Sequence, residues 1–254
     1  MELCMSYLTA CGTVFRSAPS FTPWQRSQAA FRAGFTSMGL CLDDRPTRSD
    51  LITPATEIEW FDLTQPNWDA LQWWVADYLG TVKRIKVGSA FTDVPTGYEA
   101  TNLRTLASMA GDHGIKVAVE PVAWGAFPTV DSVMALMSDA GGSNMGLVYD
   151  TWQVWRSESK FPQVDIGALA SVEISANDPL FDTYRSSVAG MNRALPSKGD
   201  NTEQLTMWLG GLFAEGYTGP IGVETPRRPF RQGHCNNHAR HAHDSATEVI
   251  CDAR

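Results

Sequence analysis

The chain has 254 residues, 43% of them hydrophobic, 19% charged and 10% aromatic, enough to bury a sizeable core in one or two domains and unlike a disordered or fibrous chain. Its formal net charge of −8 argues against nucleic-acid binding through phosphate neutralisation and for an acidic enzyme or binding protein. Five scattered cysteines without a CxxC pair read as reduced thiols, and with no basic leader ahead of Glu2 and no apolar run of about 18 residues the expectation is a cytoplasmic protein with no membrane partner.

Along the chain, short β-type runs alternate with amphipathic stretches, the pattern of βα units around a parallel sheet. Strands are expected over 3–9, 36–41 and 57–62, and the span 43–56 between the last two is too short for a full helix with loops. The stripe Leu71, Trp74, Val75, Tyr78 marks a helix before a strand over 82–88. Leu103, Leu106, Ala107, Ala110 mark the next, before a strand over 115–120, and Val130, Val133, Met134, Met137 another, before a strand over 145–150. Residues 161–169 allow only a turn or two before a strand over 170–175. Leu205, Trp208, Leu209, Leu212 then precede a last strand over 220–224. These stripes recur at the spacing of one helix face and read as core packing. Eight such units predict a (β/α)8 TIM barrel, one α/β domain over 1–254, with the second and sixth helices truncated. An open doubly wound sheet is the alternative, but neither a GxGxxG turn nor a P-loop follows any strand.

From Thr225 the composition changes: His234, His238, His241 and His243 are four of the five histidines, and five arginines face three acids, +2 against −10 for the rest. This His/Arg-rich segment, 226–254, is expected to end in a closing helix over 239–252, with Asn236-Asn237 breaking the pattern before it. His234, His238 and His241 would share a face only in a helix that began earlier, and solvated imidazoles are commoner there than a metal site.

In a parallel barrel the loops at the C-terminal ends of the strands build the pocket. Four successive strands end in or carry an acid: Glu120, Asp150, Glu173 and Glu224. Carboxylates gathered at one mouth repel one another unless a cation or a shared proton compensates, so the set predicts one hard divalent metal, Mn²⁺ or Mg²⁺ ahead of Co²⁺ or Zn²⁺. For any single acid a helix cap or a loop ion pair is the bland reading. Trp60, Trp124 and Trp152 lie near strand ends, where they would stack on a sugar ring or simply pack. Arg193 and Lys198 after the seventh strand, and Arg227, Arg228 and Arg231 after the eighth, are candidates for a phosphate or carboxylate on the substrate, or are solvated loop charges. Gln153 can orient a ligand or substrate but cannot act as acid or base.

Five segments carry a resemblance: Val119-Glu-Pro-Val-Ala-Trp-Gly125, Gly146-Leu-Val-Tyr-Asp-Thr-Trp152, Val172-Glu-Ile-Ser175, Arg193-Ala-Leu-Pro-Ser-Lys-Gly-Asp200 and Gly216-Tyr-Thr-Gly-Pro-Ile-Gly-Val-Glu224. Together with the opening Leu3-Cys-Met-Ser-Tyr-Leu-Thr9, they make the chain similar to the sugar phosphate isomerase/epimerase superfamily, the xylose isomerase-like or AP endonuclease family 2 barrels. The resemblance implies that Glu120, Asp150 and Glu224 bind one divalent metal. The fourth ligand, a Gln or His in many members, is matched by Glu173. It also implies Glu120 and Glu224 as the proton-transfer pair, and Trp124, Trp152, Gln153, Arg193, Lys198 and Arg227 as substrate-binding candidates. Two positions depart from the pattern: Gln153 stands where many members have His, and Ala176 where an acid is common. The lost His speaks against the DNA-repair branch, and four ionised carboxylates would leave a metal site at −2, so that a shared proton or a second cation is expected.

The expected function is a metal-dependent isomerase or epimerase of a sugar, keto-sugar or related polyhydroxy ketone, acting through an enediolate. Glu120-Pro-Val-Ala-Trp-Gly also looks like a segment of 3-dehydroshikimate dehydratases, so the alternative is a lyase that dehydrates a cyclic hydroxy ketone such as 3-dehydroshikimate or an inosose. A non-catalytic barrel that binds a small ligand is a second alternative. The partner is a small polyhydroxy molecule, with no nucleic acid, and a homo-oligomer stays open.

Overall fold

Strand runs too short to bury themselves, each followed by a one-faced helix, bury their apolar surface by rolling the strands into a cylinder and laying the helices outside it. The computed structural model describes residues 1–11, 19–42, 44, 51–60, 63–64, 68–69, 71–72, 81–181, 190–227 and 234–254, apart from the side chain of Trp60. Its strands are β1 (Leu3–Met5), β2 (Ser37–Cys41), β3 (Ala55–Trp60), β4 (Arg84–Gly88), β5 (Lys116–Glu120), β6 (Met145–Asp150), β7 (Leu169–Ile174) and β8 (Ile221–Val223). They close in sequence order, all parallel, with Cys4 of β1 opposite Gly222 of β8. The chain is a TIM barrel.

The described helices are α1 (Tyr7–Ala10), α2 (Pro23–Ala33), α3 (Glu99–Gly111), α4 (Val130–Ala140), α5 (Thr151–Glu158), α6 (Thr202–Ala214) and α7 (Cys235–Asp252). Local chemistry sets their ends. Thr22 and Gln25 form a capping box ahead of α2, with Pro23 at its first position, and Gly34 ends it at φ 101°, a left-handed conformation that suits glycine. Thr129 and Ser132 cap α4 in the same way.

The core lies between the outer face of the strands and the inner face of the helices. Ile58, Ile85, Val117, Leu147, Val172 and Ile221 meet Leu103, Leu106, Leu136, Leu205 and Leu209, all buried. Tyr149 stacks on Trp208 at 4.1 Å between ring centres.

All eight expected strands are present, and the differences are local. β1 ends at Met5 rather than residue 9, because the chain turns at Ser6 into α1, with the Thr9 amide bonded to the Ser6 carbonyl. On α4 the buried face is Val130, Val133, Leu136 and Ala140, while Met134 is 38% exposed; Met134 lies one residue, about 100°, off that face. The helix after β6 is short, at eight residues, but it lies directly after the strand, at Thr151–Glu158, rather than in 161–169, where there is only the single turn Ile166–Ala168. Half of the span 43–56 lies outside the described residues, as do Trp74, Val75 and Tyr78. The closing helix begins at Cys235 rather than 239 and runs through Asn236-Asn237. Its first turn is held by His238, whose Nε2 lies 3.1 Å from the Thr225 carbonyl oxygen, and burial pushes this imidazole down to about 4. No described helix is long and apolar enough to cross a membrane.

Candidate metal centre

Each predicted acid is placed at the mouth by its own strand. Glu120 ends β5 just before Pro121, which favours extended backbone at the preceding residue. Asp150 ends β6 and caps α5: its Oδ1 accepts the Trp152 and Gln153 amides at 2.8 and 3.0 Å, which turns Oδ2 into the barrel. Glu173 points inward from β7 beside Gly222, where a Cβ would lie 3.1 Å from its Oε1. Glu224 follows β8. All four are buried, and each offers an oxygen within 4.8 Å of the others.

Two charged residues that sequence reasoning did not single out share this centre. Lys86, on the inward face of β4, places Nζ 2.9 and 3.0 Å from the two Glu173 oxygens and 2.7 Å from Glu224 Oε2. Glu59, on β3, lies 3.5 Å from the same ammonium through Oε2, which accepts no hydrogen bond. Its Oε1 accepts the Tyr7 amide, and the Ser6 hydroxyl donates to Glu173 at 2.6 Å. The signal was in the sequence. Thr56-Glu-Ile-Glu-Trp60 and Arg84-Ile-Lys-Val-Gly88 put charges at every second residue, on the face that looks into the barrel.

Arg193 stands in the centre as well, though not as a free anion clamp. Its Nη1 bonds Asp150 Oδ2 at 2.6 Å, its Nη2 lies 3.3 Å from Glu224 Oε1, and the guanidinium rests over the Trp152 ring at 4.9 Å. Gln153 donates to Glu120 Oε1 at 3.3 Å and accepts the Ala123 amide at 2.9 Å. Beside these groups is a cavity of about 40 Å³ lined by Lys86, Glu120, Glu224, Phe91, Trp124 and Met191, among others. Trp124 packs edge-on to Trp152, and Gly190 makes room for it, since a Cβ there would come within 2.7 Å of its ring. Lys198 is not brought here: it is 59% exposed and pairs with Glu248 on the outer surface. Arg227 bonds Asp178 at 2.9 Å, away from the carboxylate set. Arg228, Arg231 and the Trp60 side chain lie outside the described residues. The tail histidines do not gather: among the described residues, both groups of potential ligands within 4.8 Å of one another are wholly carboxylate.

Five buried carboxylates (Glu59, Glu120, Asp150, Glu173, Glu224) face two cations (Lys86, Arg193), so three negative charges are uncompensated if all ionise. The titrations reflect that excess. Burial, then Glu224 and Glu57, push Glu59 up to about 8 against the pull of Lys86. Burial drives Glu120 well above the carboxylate range, with Glu224 and Asp150 adding to it against Lys86. Glu173 is raised by burial and by Glu224. Glu224 goes the other way: burial works upward, but Arg193 and Lys86 outweigh it and hold the group ionised. Lys86 too is opposed by burial, yet the acids around it raise it well above the usual lysine value. An all-oxygen set with surplus negative charge and an oxygen that accepts no hydrogen bond fits a hard divalent cation.

The sequence profile described as "xylose isomerase-like TIM barrel" matches residues 75–249. No curated protein sequence matches the chain. Among solved structures, the IolI protein with a binding zinc atom shares 14% identity at a TM-score of 0.77, over 100% of this chain and 99% of the other. The D-allulose 3-epimerase from Methylomonas sp. shares 15% identity at 0.68, over 98% of each. The probable 3-DHS dehydratase AsbF from Bacillus anthracis, involved in petrobactin synthesis, shares 11% at 0.64, over 97% and 99%. The chain also spans 42% of the length of a xylose isomerase-like TIM barrel/4-hydroxyphenylpyruvate dioxygenase fusion protein, with 17% identity and a TM-score of 0.76 over 98% of this chain. At these identities the likeness is one of fold.

Proposed function

Since the chain belongs to the xylose isomerase-like TIM barrel family, we propose that it is a divalent-metal-dependent isomerase or epimerase of a sugar, keto-sugar or related polyhydroxy ketone, working by proton transfer through an enediolate. The observation that carries this reading is the convergence of Glu120, Asp150, Glu173 and Glu224 beside a cavity walled by aromatic rings. A hard cation held by these four, Mn²⁺ or Mg²⁺ by donor type, would polarise adjacent carbonyl and hydroxyl oxygens and so acidify the C–H between them.

The rest falls to the chain's own side chains. Glu120 and Glu224 flank the cavity as the proton-transfer pair: without metal, burial beside Glu224 and Asp150 favours the proton on Glu120, while at Glu224 the charges of Arg193 and Lys86 overcome burial and favour the carboxylate. Gln153 fixes the Glu120 carboxyl while being fixed itself by the Ala123 amide. Arg193 is a positioning residue: it locks Asp150 to Glu224, and with both contacts spent inside the site it does not clamp a substrate anion. Trp124 and Phe91 wall the cavity against water, with Trp152 packed behind Trp124. The five cysteines are free thiols, which suits a reducing, cytoplasmic setting.

The test is elemental analysis of the purified protein with Asp150→Ala as its control, followed by incubation with keto-sugars in D₂O. About one divalent metal per chain that the variant loses, with deuterium entering at the α carbon without loss of water, supports the proposal. Failure to hold metal after reconstitution with Mn²⁺ overturns it. A dehydratase, the second reading, is favoured by the likeness of Glu120-Pro-Val-Ala-Trp-Gly125 to the corresponding dehydratase segment. It would announce itself by a conjugated enone absorbance from a cyclic hydroxy ketone.

A further inference from the structure

Lys86 is the one cation at the centre to which the proposed mechanism gives no part beyond its charge. Its side chain is 3% exposed and touches acids from three directions: Glu59 on β3, Glu173 on β7 and Glu224 beyond β8. Two of these belong to the four converging ligands. The three N–H bonds of the ammonium are spent on Glu173 Oε1, Glu173 Oε2 and Glu224 Oε2. Its reach is built into the sheet. Lys86 stands opposite Glu59 in the β3 register and opposite Ala118 in the β5 register, and the small Ala118 side chain leaves the axis clear for the lysine stem. A ligand set able to hold a divalent ion is therefore already shared with a monovalent cation tethered to the backbone.

We infer that Lys86 is the resident cation of the centre and sets its affinity for a divalent ion, lowering it by competing for Glu173 and Glu224. The physics is direct. A divalent ion ligated by Glu173 and Glu224 takes oxygens that now accept from Nζ, and it sits within a few ångströms of a like charge in a buried, weakly screened place. Without Lys86, five acids would face Arg193 alone, and the centre would draw in a cation more strongly. Lys86 thus does for Glu173 what a neutral ligand would do without help: lysine and carboxylate together add no net charge. The inference locates its divalent ion at the centre proposed above and rests on that reading for the site, but its own observable is the difference between wild type and variant.

The experiment is Mn²⁺ titration of the chelator-stripped full chain by calorimetry, with the Mn²⁺-induced shift in Tm as a second readout. The proteins are wild type, Lys86→Gln, Lys86→Met and each Lys86 variant combined with Asp150→Ala, with folding checked by circular dichroism. Lys86→Gln keeps a polar side chain and serves if Lys86→Met does not fold. Both folded variants are expected to bind Mn²⁺ at least about tenfold more tightly than wild type, and Asp150→Ala is expected to abolish the gain. Adding Glu173→Gln to Lys86→Met restores the original charge balance and is expected to bring the affinity back to within about threefold of wild type. Wild-type binding with no gain in either variant overturns the role of Lys86 and leaves the metal reading standing. A wild type that binds nothing beside a variant that binds Mn²⁺ overturns the metal reading of the native chain and upholds Lys86 as its substitute. Binding by none overturns both.

Discussion

Two layers of charge are stacked inside the barrel, built alike but balanced differently. In the lower one, Glu57 of β3 faces Arg84 of β4: Arg84 Nε lies 3.1 Å from Glu57 Oε2 and its Nη2 2.9 Å from Glu2 Oε1, to which Ser37 and Thr56 also donate. Two residues on, the same strands repeat the pairing with Glu59 and Lys86. The lower layer sets two acids against one base and two hydroxyls, with Glu2 22% open to solvent. Burial works to raise Glu2, yet Arg84 and the hydroxyls hold it below the usual range. The upper layer sets five acids against two bases, fully buried and beside a cavity. The lower layer also leaves one buried oxygen, Glu57 Oε1, without a hydrogen bond, so what separates the two is the size of the excess, one acid against three, and the cavity beside the upper one.

The sharpest way to break that contrast is in the upper layer. Asp150→Ala and Glu224→Gln are expected to cut turnover by about 10³-fold or more and to strip the metal, read by single-turnover kinetics beside elemental analysis. If either keeps wild-type turnover, the upper layer is only packing. Next comes Arg84→Met. It leaves Glu57 buried and unpaired and is expected to cost about 3–5 kcal/mol in urea unfolding, while turnover per folded molecule stays near wild type. A large catalytic loss at full stability would erase the distinction between the layers.

A smaller effect is carried by pH. Glu59 keeps a proton in the fold that the unfolded chain has already released, and burial pushes Glu120 the same way, so their contribution favours the folded state at low pH; the Glu59 part drains away as pH climbs from the free carboxylate value through about 8. His238 acts oppositely: buried neutral, it costs stability as pH falls below the free imidazole value towards about 4. Between about pH 6.5 and pH 8 the acids dominate, before the buried Cys4 and Cys235 thiols, pushed up by burial, add a loss of the same sign. There the Tm of metal-free protein is expected to fall with rising pH, and saturating Mn²⁺ to flatten the slope. A metal-free Tm that rises across this window would show that the upper layer carries no surplus charge. Smallest of all, Lys198→Ala on the outer surface is expected to change neither KM nor Tm measurably, since its pairing with Glu248 is solvated and screened.

The part of this site legible in the sequence was the part at strand ends. Glu120, Asp150 and Glu224 sit where a parallel barrel must present side chains, and Asp150 also shows its helix-capping role through the Thr-Trp that follows it. The inner partners were hidden because residues 82–88 and 57–62 read as strands without any sign of which face looked inward. Only the alternation of Glu57 with Glu59 and of Arg84 with Lys86 carried that information, and its meaning depends on closure. Arg193 was found as a cation near the site, but its partners come from β6 and from the residue after β8, which no local pattern links to it. Lys198, five residues on, shares its loop and yet faces solvent. The start of α7 was missed because what stabilises its first turn is tertiary: the bond from His238 to Thr225.

The barrel closes along the seam between β1 and β8, and the centre straddles that seam. Ser6 just beyond β1 donates to Glu173, the Thr9 hydroxyl donates to the Val223 carbonyl at 2.6 Å, and the Thr225 amide donates back to Thr9 at 2.9 Å. Strands emerge from the ribosome in the order in which they lie around the barrel, so Lys86 is synthesised long before Glu173 and Glu224, and β8 is the last strand to arrive. Until it docks, the ligand set lacks Glu224 and stays open to water along one side. Docking of the last strand therefore both closes the cylinder and completes the carboxylate cluster, so that assembly of the centre is tied to the same seam as closure of the fold.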